Sequence, residues 1–211
     1  MIDGLRLLLS HGFSGYLIVI TGLACLVISA ERLYYLFVAA SFSSEASLEQ
    51  AKAQIMKRKY STALQICNQQ LDNPELKVLR EGLIAVENGR EAMRSALTGA
   101  VMDVAKAAEN RLSFLSLIAS SATLLGLFGT IMGLIKTFEA IAGADPTEKA
   151  RMLGLGISEA MHSTAAGVIV GVVAMVIHTI CIAKADALSG KAQKVALNFM
   201  NWVEYSERSA G

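Results

Sequence analysis

The stretch LSFLSLIASSATLLGLFGTIMGLI, which runs from Leu112 to Ile135 without an Asp, Glu, Lys or Arg, decides the fold. A second such stretch, AMHSTAAGVIVGVVAMVIHTICIA, runs from Ala160 to Ala183. As a helix, each would be about 36 Å long, which exceeds the roughly 30 Å of hydrocarbon in a bilayer. Both stretches are therefore predicted to be membrane-spanning helices.

A third apolar window lies near the N-terminus, from Leu7 to Ala30. The chain as a whole is 54% hydrophobic, with a mean hydropathy of +0.48. We expect the first window to be a retained anchor and not a cleaved signal peptide. A single basic residue, Arg6, precedes it, and apolar residues resume after Glu31 and Arg32. The sequence thus predicts an integral membrane protein with three spans.

The basic residues indicate the topology. Residues 41–111 hold ten Lys or Arg and the tail after Ala183 holds four, against three between the last two spans and one before the first. Because basic loops stay in the cytoplasm, we expect region 41–111 and the C-terminus to be cytoplasmic and the N-terminus periplasmic. The net charge of +1 argues against a nucleic-acid-binding surface.

Between the first two spans, apolar residues recur at helical spacing, as in Leu76, Leu79 and Leu83, and alternating β-branched runs are absent. We therefore expect an all-α fold with a small cytoplasmic helical bundle. The second and third spans are expected to extend into the cytoplasm, the second because no breaker follows Arg90. The predicted order is 1–12 periplasmic N-terminus, 13–40 first span, 41–111 cytoplasmic helices, 112–138 second span, 139–156 periplasmic link, 157–184 third span and 185–211 cytoplasmic C-terminal helix.

Small residues recur every three or four positions in the two later spans, a pattern that lets helix backbones approach closely. An alternative is that these glycines only reflect the general composition of membrane helices. The predicted helix-packing residues are Gly126, Gly129, Gly133, Gly167 and Gly171.

Polar side chains inside the spans suggest a path between helices. Glu159 and Ser163 fall on one helical stripe, while Thr164 lies about 140° round and faces a neighbouring helix, as Thr130 in the second span also could. Each has a simpler explanation: Glu159 could be the last solvated residue before the span, and a membrane threonine often bonds only its own i−4 carbonyl. We predict a shared pore lining because the residues occur together.

Other reactive residues indicate little chemistry. His162 could relay protons beside Glu159 or satisfy a local hydrogen bond, and His178 is expected at the interface. We predict no cofactor, no metal site and no enzymatic activity, since the spans hold no paired carboxylates, no Ser/Lys arrangement and no His/Glu set with the spacing of metal ligands. The two uncharged stretches hold no Asp, so a second protein is expected to supply the central carboxylate of a proton path.

Two motifs carry a resemblance to a known family. Leu124-Leu-Gly-Leu-Phe-Gly-Thr130, followed by Gly156-Ile-Ser-Glu-Ala160, resembles the ExbB/TolQ/MotA proton-channel family, and Glu31-Arg32-Leu33 is similar to the end of that family's first span. The likeness is greatest to the three-span ExbB and TolQ branch. MotA itself fits less well, since it has four spans and a larger cytoplasmic region.

The resemblance implies a subunit of an inner-membrane motor driven by the proton-motive force. It implies a homo-oligomeric ring, a pentamer, around a single-span ExbD- or TolR-like partner whose membrane aspartate carries the proton. Energy would then pass to a TonB- or TolA-like protein for outer-membrane transport or envelope maintenance. By motif matching, Thr130 and Thr164 correspond to the family's pore threonines and Glu159 to its glutamate at the head of the third span.

The sequence departs from the family where intramembrane prolines are usual. Ala122-Thr123 stands in place of Ala-Pro, and Val172-Val173 in place of Ile-Pro. We expect straighter helices as a result, and Thr123 becomes a further candidate for the pore.

Three functional hypotheses follow from the sequence, of which a small transporter or an intramembrane enzyme is the weakest because no inverted repeat of broken helices is present in the sequence. The first is a proton-conducting motor subunit; the alternative is a membrane scaffold that assembles partner helices without conducting. If the chain is a motor subunit, we expect H⁺ and not Na⁺ to be the conducted ion, because the predicted path is lined by hydroxyls and shows no obvious site with several oxygen ligands for Na⁺.

Overall fold

The computed structural model describes residues 13–39, 45–70 and 73–208. These residues form helices joined by turns, with no strand among them, which confirms the all-α class. The predicted segment 1–12 lies outside the described residues. The α-helices are α1 (Phe13–Tyr34), α2 (Glu45–Met56), α3 (Tyr60–Asn68), α4 (Pro74–Ala85), α5 (Arg90–Glu109), α6 (Leu112–Ala142) and α7 (Pro146–Arg208). A π-helix, Tyr35–Ala39, follows α1, and a 3-10 helix, Val86–Asn88, follows α4.

Three helical stretches of the described chain are long and apolar enough to cross a membrane: Gly15–Val38, Arg90–Ala142 and Pro146–Arg208. Large apolar side chains point outward along them; Leu124 is 65% exposed and Ile169 is 64% exposed. A surface of this kind is stable against hydrocarbon and unfavourable against water. The three predicted spanning helices are therefore confirmed.

The chain divides into two compact units. The first, here called the membrane unit, contains the described residues up to Glu31 together with Arg111–Ile180. The second, here called the bundle unit, contains residues 32–110 and the described residues from 181 onward.

The bundle unit is held by an apolar core in which Phe199, Leu76 and Leu79 are fully buried. Helix α4 begins at Pro74 because the Asn73 side chain accepts hydrogen bonds from the backbone N–H groups of Glu75 (2.9 Å) and Leu76 (3.2 Å). Proline suits the first helical position, where its missing N–H would have no partner. This cap explains why α4 begins at Pro74.

The helix predicted to continue from Arg90 into the second span is interrupted at Asn110 and Arg111. Asn110 has ψ 136°, which is extended, and Arg111 has φ 62°, which is left-handed. Neither residue is Gly or Pro, so the sequence carried no breaker signal at this point. The Arg111 guanidinium donates a hydrogen bond to the Glu31 carboxylate, a contact that accompanies the unusual backbone.

The predicted link 139–156 is mostly helical. Helix α6 continues to Ala142 and α7 begins at Pro146, so that only Gly143–Asp145 lies outside a helix. The Asp145 carboxylate accepts hydrogen bonds from the Thr147 backbone N–H (3.0 Å) and hydroxyl (2.7 Å), and these bonds lower the pKa of Asp145. This N-terminal cap explains why α7 starts so early.

Both positions where the family has intramembrane proline lie inside unbroken α-helix. Thr123 is within α6 and Val173 within α7. Helix α7 also continues through Gly190. Glycine lowers helix propensity but removes no backbone hydrogen bond, whereas proline does.

Gly82 in α4 tests the packing of the bundle core. A Cβ there would lie 2.7 Å from Leu97 Cδ2 and 2.7 Å from Phe199 Cε1. We expect Gly82→Ala to lower the free energy of unfolding by about 1–3 kcal/mol, because overpacking strains a filled core. Chemical denaturation in detergent measures the change.

Gly99→Ala in α5 is the matched control, since no heavy atom lies within 4 Å of its added Cβ. It should stabilise the helix by about 0.5–1 kcal/mol. Equal effects of the two substitutions would contradict the close contact of Gly82.

Cys67 provides a pH-dependent test of the same core. Burial raises the pKa of its thiol from 9.0 to about 11, with Arg80 opposing the shift. The folded state favours the neutral thiol, so the contribution of Cys67 to stability is present below pH 9 and is lost as the pH rises from 9 towards 11. We expect the unfolding free energy of the wild type to fall more steeply over this range than that of Cys67→Ala. Parallel profiles would contradict the burial.

Candidate functional site

Helices α6 and α7 of the membrane unit meet through glycines. A Cβ on Gly126 would lie 3.0 Å from the Ser163 carbonyl oxygen and 3.2 Å from the Gly167 Cα. A Cβ on Gly167 would lie 2.5 Å from the Ala122 carbonyl oxygen. The obstructing atoms belong to the backbone and cannot move aside as a flexible side chain could. Only glycine allows this separation of the two helices.

The other predicted packing residues continue the same contact. A Cβ on Gly133 would lie 3.0 Å from the Ala160 Cβ. A Cβ on Gly171 would lie 2.7 Å from the Thr123 Oγ1. Gly129 is buried and lines a cavity beside this contact. The contact therefore extends over several turns of both helices.

Two threonine hydroxyls meet at the centre of the contact. Thr130 Oγ1 and Thr164 Oγ1 are hydrogen-bonded to each other across the two helices. Both oxygens also lie within hydrogen-bond distance of the Gly126 carbonyl oxygen, at 3.2 Å from Thr130 and 3.1 Å from Thr164. Because each hydroxyl has a single proton, one threonine donates to this carbonyl while the other donates to its partner hydroxyl. Thr130 thus lies within reach of the i−4 carbonyl that a membrane threonine commonly bonds and, in addition, contacts Thr164 across the two helices.

A cavity of about 430 Å³ opens between α6 and α7 next to this pair. Glu159 and Ser163 both line it, which agrees with their position on one helical stripe. Glu159 is exposed, whereas Ser163 is only 1% exposed. Within the described part of the chain, the buried Ser163 Oγ has no hydrogen-bond partner. A buried hydroxyl in this situation normally binds water or a ligand.

The contacts of the two antiparallel helices give the order of these groups along the cavity. Gly126 lies opposite Ser163 and Thr164, Gly133 lies opposite Ala160, and Gly156 packs against Thr137. At about 1.5 Å per residue, Glu159 is therefore roughly one turn, or about 6 Å, from the level of the threonine pair. The polar groups therefore follow one another along the cavity and do not form a single cluster.

Three other candidate residues lie outside this row of polar groups along the cavity. Thr123 is exposed and contacts α7 at Gly171, about two turns from Thr130. His162 is exposed and His178 is half-buried; neither is among the residues that line the cavity. In the residues that the structure describes, no group of three or more His, Cys, Asp or Glu could hold a metal ion.

Lys136 and Thr137 also line the cavity, and the sequence reasoning missed them. The uncharged stretch was ended at Ile135, so a lysine one position later was not considered part of the site. The available signal was helical spacing, because Lys136 and Thr137 follow Gly133 by about one turn and therefore share its face. Thr137 is buried and donates a hydrogen bond to the Gly133 carbonyl oxygen (2.7 Å).

The end of the first span carries its own charged contacts. Glu31 accepts a hydrogen bond from Arg111, which lies 80 residues away. The Arg32 guanidinium is 5.3 Å from the centre of the Tyr35 ring and the residue is 5% exposed. The contact between Glu31 and Arg111 was not predicted from the sequence, where Glu31 and Arg32 were noted only as part of the motif at the end of the first span.

Comparison with known sequences agrees with this geometry. The profile of the MotA/TolQ/ExbB proton channel family matches residues 45–194, which include both helices that form the site. The chain belongs to the MotA/TolQ/ExbB proton channel family.

Individual relatives place the chain near the ExbB and TolQ branch of that family. The biopolymer transport protein exbB1 of Vibrio cholerae is 35% identical over 94 residues, which are 44% of this chain and 41% of the relative. The Tol-Pal system protein TolQ of Haemophilus influenzae is 32% identical over 96 residues, 46% of this chain and 39% of the relative. The putative biopolymer transport protein ExbB-like 1 of Synechocystis sp. is 39% identical over 70 residues, 32% of this chain and 28% of the relative. The chain spans about two fifths of the length of the first two curated relatives.

Gly167 tests whether the site depends on the glycine contact. We expect Gly167→Ala to lower the midpoint of thermal unfolding in detergent, because the added methyl group meets backbone atoms of α6. Overpacking of this kind costs about 1–3 kcal/mol. Gly154→Ala, where nothing lies within 4 Å of the added Cβ, is the control and should not lower the midpoint. A fully tolerated Gly167→Ala would show that the helices are farther apart than described.

Proposed function

We propose that this chain is a subunit of an inner-membrane motor driven by the proton-motive force. With an ExbD- or TolR-like partner it conducts protons, and it transmits the energy to a TonB- or TolA-like protein for outer-membrane transport or envelope maintenance. The observation that carries this proposal is the Thr130–Thr164 hydroxyl pair beside the cavity lined by Glu159 and Ser163. Polar groups in this position are costly in lipid and are usually retained for function.

The assembly in this proposal follows from what the chain holds and lacks. The uncharged stretches 112–135 and 160–183 contain hydroxyls but no Asp, so the partner's single span would supply the central carboxylate. Several copies of this chain, five by analogy with the family, would surround the partner helices. The N-terminus would lie in the periplasm and the C-terminus in the cytoplasm, as the distribution of basic residues favours. One charge that crosses 100 mV releases about 2.3 kcal/mol, so successive protons can supply mechanical work.

Proton uptake tests the role of the hydroxyl pair. The complex, purified through a tag on this chain, is reconstituted into vesicles, and internal acidification is followed under an imposed potential. We expect Thr130→Val and Thr164→Val each to slow uptake about tenfold, equivalent to roughly 1.4 kcal/mol on the barrier, because each removes a hydroxyl from the path. Glu159→Gln should slow uptake similarly.

Matched controls separate conduction from folding. Thr179→Val removes a hydroxyl from the same helix, where it is exposed and bonds only its own Met175 carbonyl oxygen at 2.9 Å in the described structure. Glu139→Gln neutralises an exposed carboxylate of α6 that does not line the cavity. Both controls should conduct at the wild-type rate. Unchanged uptake in all three site variants would overturn the pore assignment, and a complex that never conducts would favour the scaffold alternative.

Mass measurement of the intact purified complex provides a separate check on the partners. A mass that corresponds to several copies of this chain plus a smaller protein with one apolar span containing an Asp would support the motor. A ring of this chain alone would support the scaffold.

A further inference from the structure

The cavity between α6 and α7 contains a charge that the proposed proton path does not explain. Lys136 and Glu159 are the charged residues among those that line it. Lysine is expensive near the membrane interior unless its ammonium has a partner or a role. By the contacts of Gly133 with Ala160 and of Gly156 with Thr137, Lys136 lies about two residues, or roughly 3 Å, beyond the level of Glu159, towards the end of the cavity farther from the threonine pair.

The side-chain oxygen atoms of the residues that line the cavity are fewer than the ligands that a hard metal cation takes. Side-chain oxygens come from the Glu159 carboxylate, the Ser163 hydroxyl and the Thr137 hydroxyl, and the last is already bonded to the Gly133 carbonyl. Sites for hard metal cations surround the ion with about six oxygen ligands. A hydrated cavity is nevertheless indicated, since the Ser163 Oγ is buried without a hydrogen-bond partner in the described residues.

We propose that Lys136 is a specificity-determining residue, which makes this cavity admit protons and exclude Na⁺ and other metal cations. The inference rests on the proposed function and deepens it. The Lys136 ammonium competes with any entering metal cation for the Glu159 carboxylate, and water bound at Ser163 continues the path towards the threonine pair.

The two kinds of ion differ in what the carboxylate can do with them. A hydronium ion transfers its proton to Glu159, which forms a carboxylic O–H bond and leaves one neutral water molecule. The acid then returns the proton to the water at Ser163, which becomes a hydronium ion, and Glu159 becomes a carboxylate again, so that no additional positive charge stays beside Lys136. A sodium ion keeps its full charge in the cavity and is repelled by the ammonium at short range.

Paired ion-flux measurements test this selectivity. Vesicles that contain the purified complex are assayed for proton uptake and for uptake of radioactive Na⁺ under the same potential. We expect Lys136→Met, which keeps the length of the side chain but not its charge, to raise the ratio of Na⁺ to H⁺ flux about tenfold. Lys136→Arg should keep the wild-type ratio because it retains the charge. Lys149→Met, which neutralises an exposed lysine outside the cavity, should also keep it.

A chemical probe tests the same electrostatics without conduction. In the full chain with Cys25, Cys67 and Cys181 replaced by Ala, Ser163→Cys is exposed to methanethiosulfonates of opposite charge. We expect labelling at position 163, and the ratio of anionic to cationic rates should fall about tenfold when Lys136→Met is added. Ala174→Cys, which replaces a fully buried residue of α7 outside the cavity, is the control and should not be labelled.

The outcomes distinguish the two proposals. A wild-type complex that conducts protons, with flux and labelling ratios indifferent to Lys136→Met, would overturn the selectivity and leave the proposed function intact. A wild-type complex that conducts no ion would overturn the proposed function, and the selectivity would fall with it.

Discussion

The separation of α6 and α7 is the constraint on which the rest of the membrane unit depends. Gly126 and Gly167 bring the two backbones so close that a single methyl group would meet a carbonyl oxygen. At that distance a hydroxyl from each helix reaches the same Gly126 carbonyl, and the Thr130–Thr164 contact follows. Small residues therefore act here by placing polar groups, since lipid supplies no hydrophobic force that would drive two apolar helices together.

The polar groups at this contact differ in whether their hydrogen-bonding capacity is filled. The threonine hydroxyls bond each other and a backbone carbonyl, so their burial carries little cost. Ser163 lies on the same helix one residue from Thr164, yet its buried oxygen meets no partner in the described residues. A satisfied pair stabilises the helix contact, whereas an unsatisfied hydroxyl at a cavity wall favours an occupant such as water.

Much of this arrangement could be predicted from the sequence because it depends on local spacing. Hydropathy located the spans, and helical periodicity placed Glu159 and Ser163 on one stripe. Thr130 and Thr164 were expected to face each other, and the structure brings them together. The break at Arg111 could not be predicted, since a left-handed arginine has no signature in composition or period. Its contact with Glu31 joins residues far apart in the chain, which a single sequence does not reveal. Lys136 was missed for a different reason, because a search for uncharged stretches ends where the first charge appears.

The short turn between α6 and α7 has a mechanical consequence. Gly143–Asp145 contains three residues, which span at most about 11 Å when fully extended, and the cap at Asp145 holds the start of α7. A connection this short, together with interlocked backbones, leaves the two helices little room to slide or tilt against each other. They form a stiff hairpin that transmits displacement without absorbing it. Under the proposed function, a working stroke would take place where the hairpin borders other chains, and the threonine pair and Glu159 would keep their spacing while it moves.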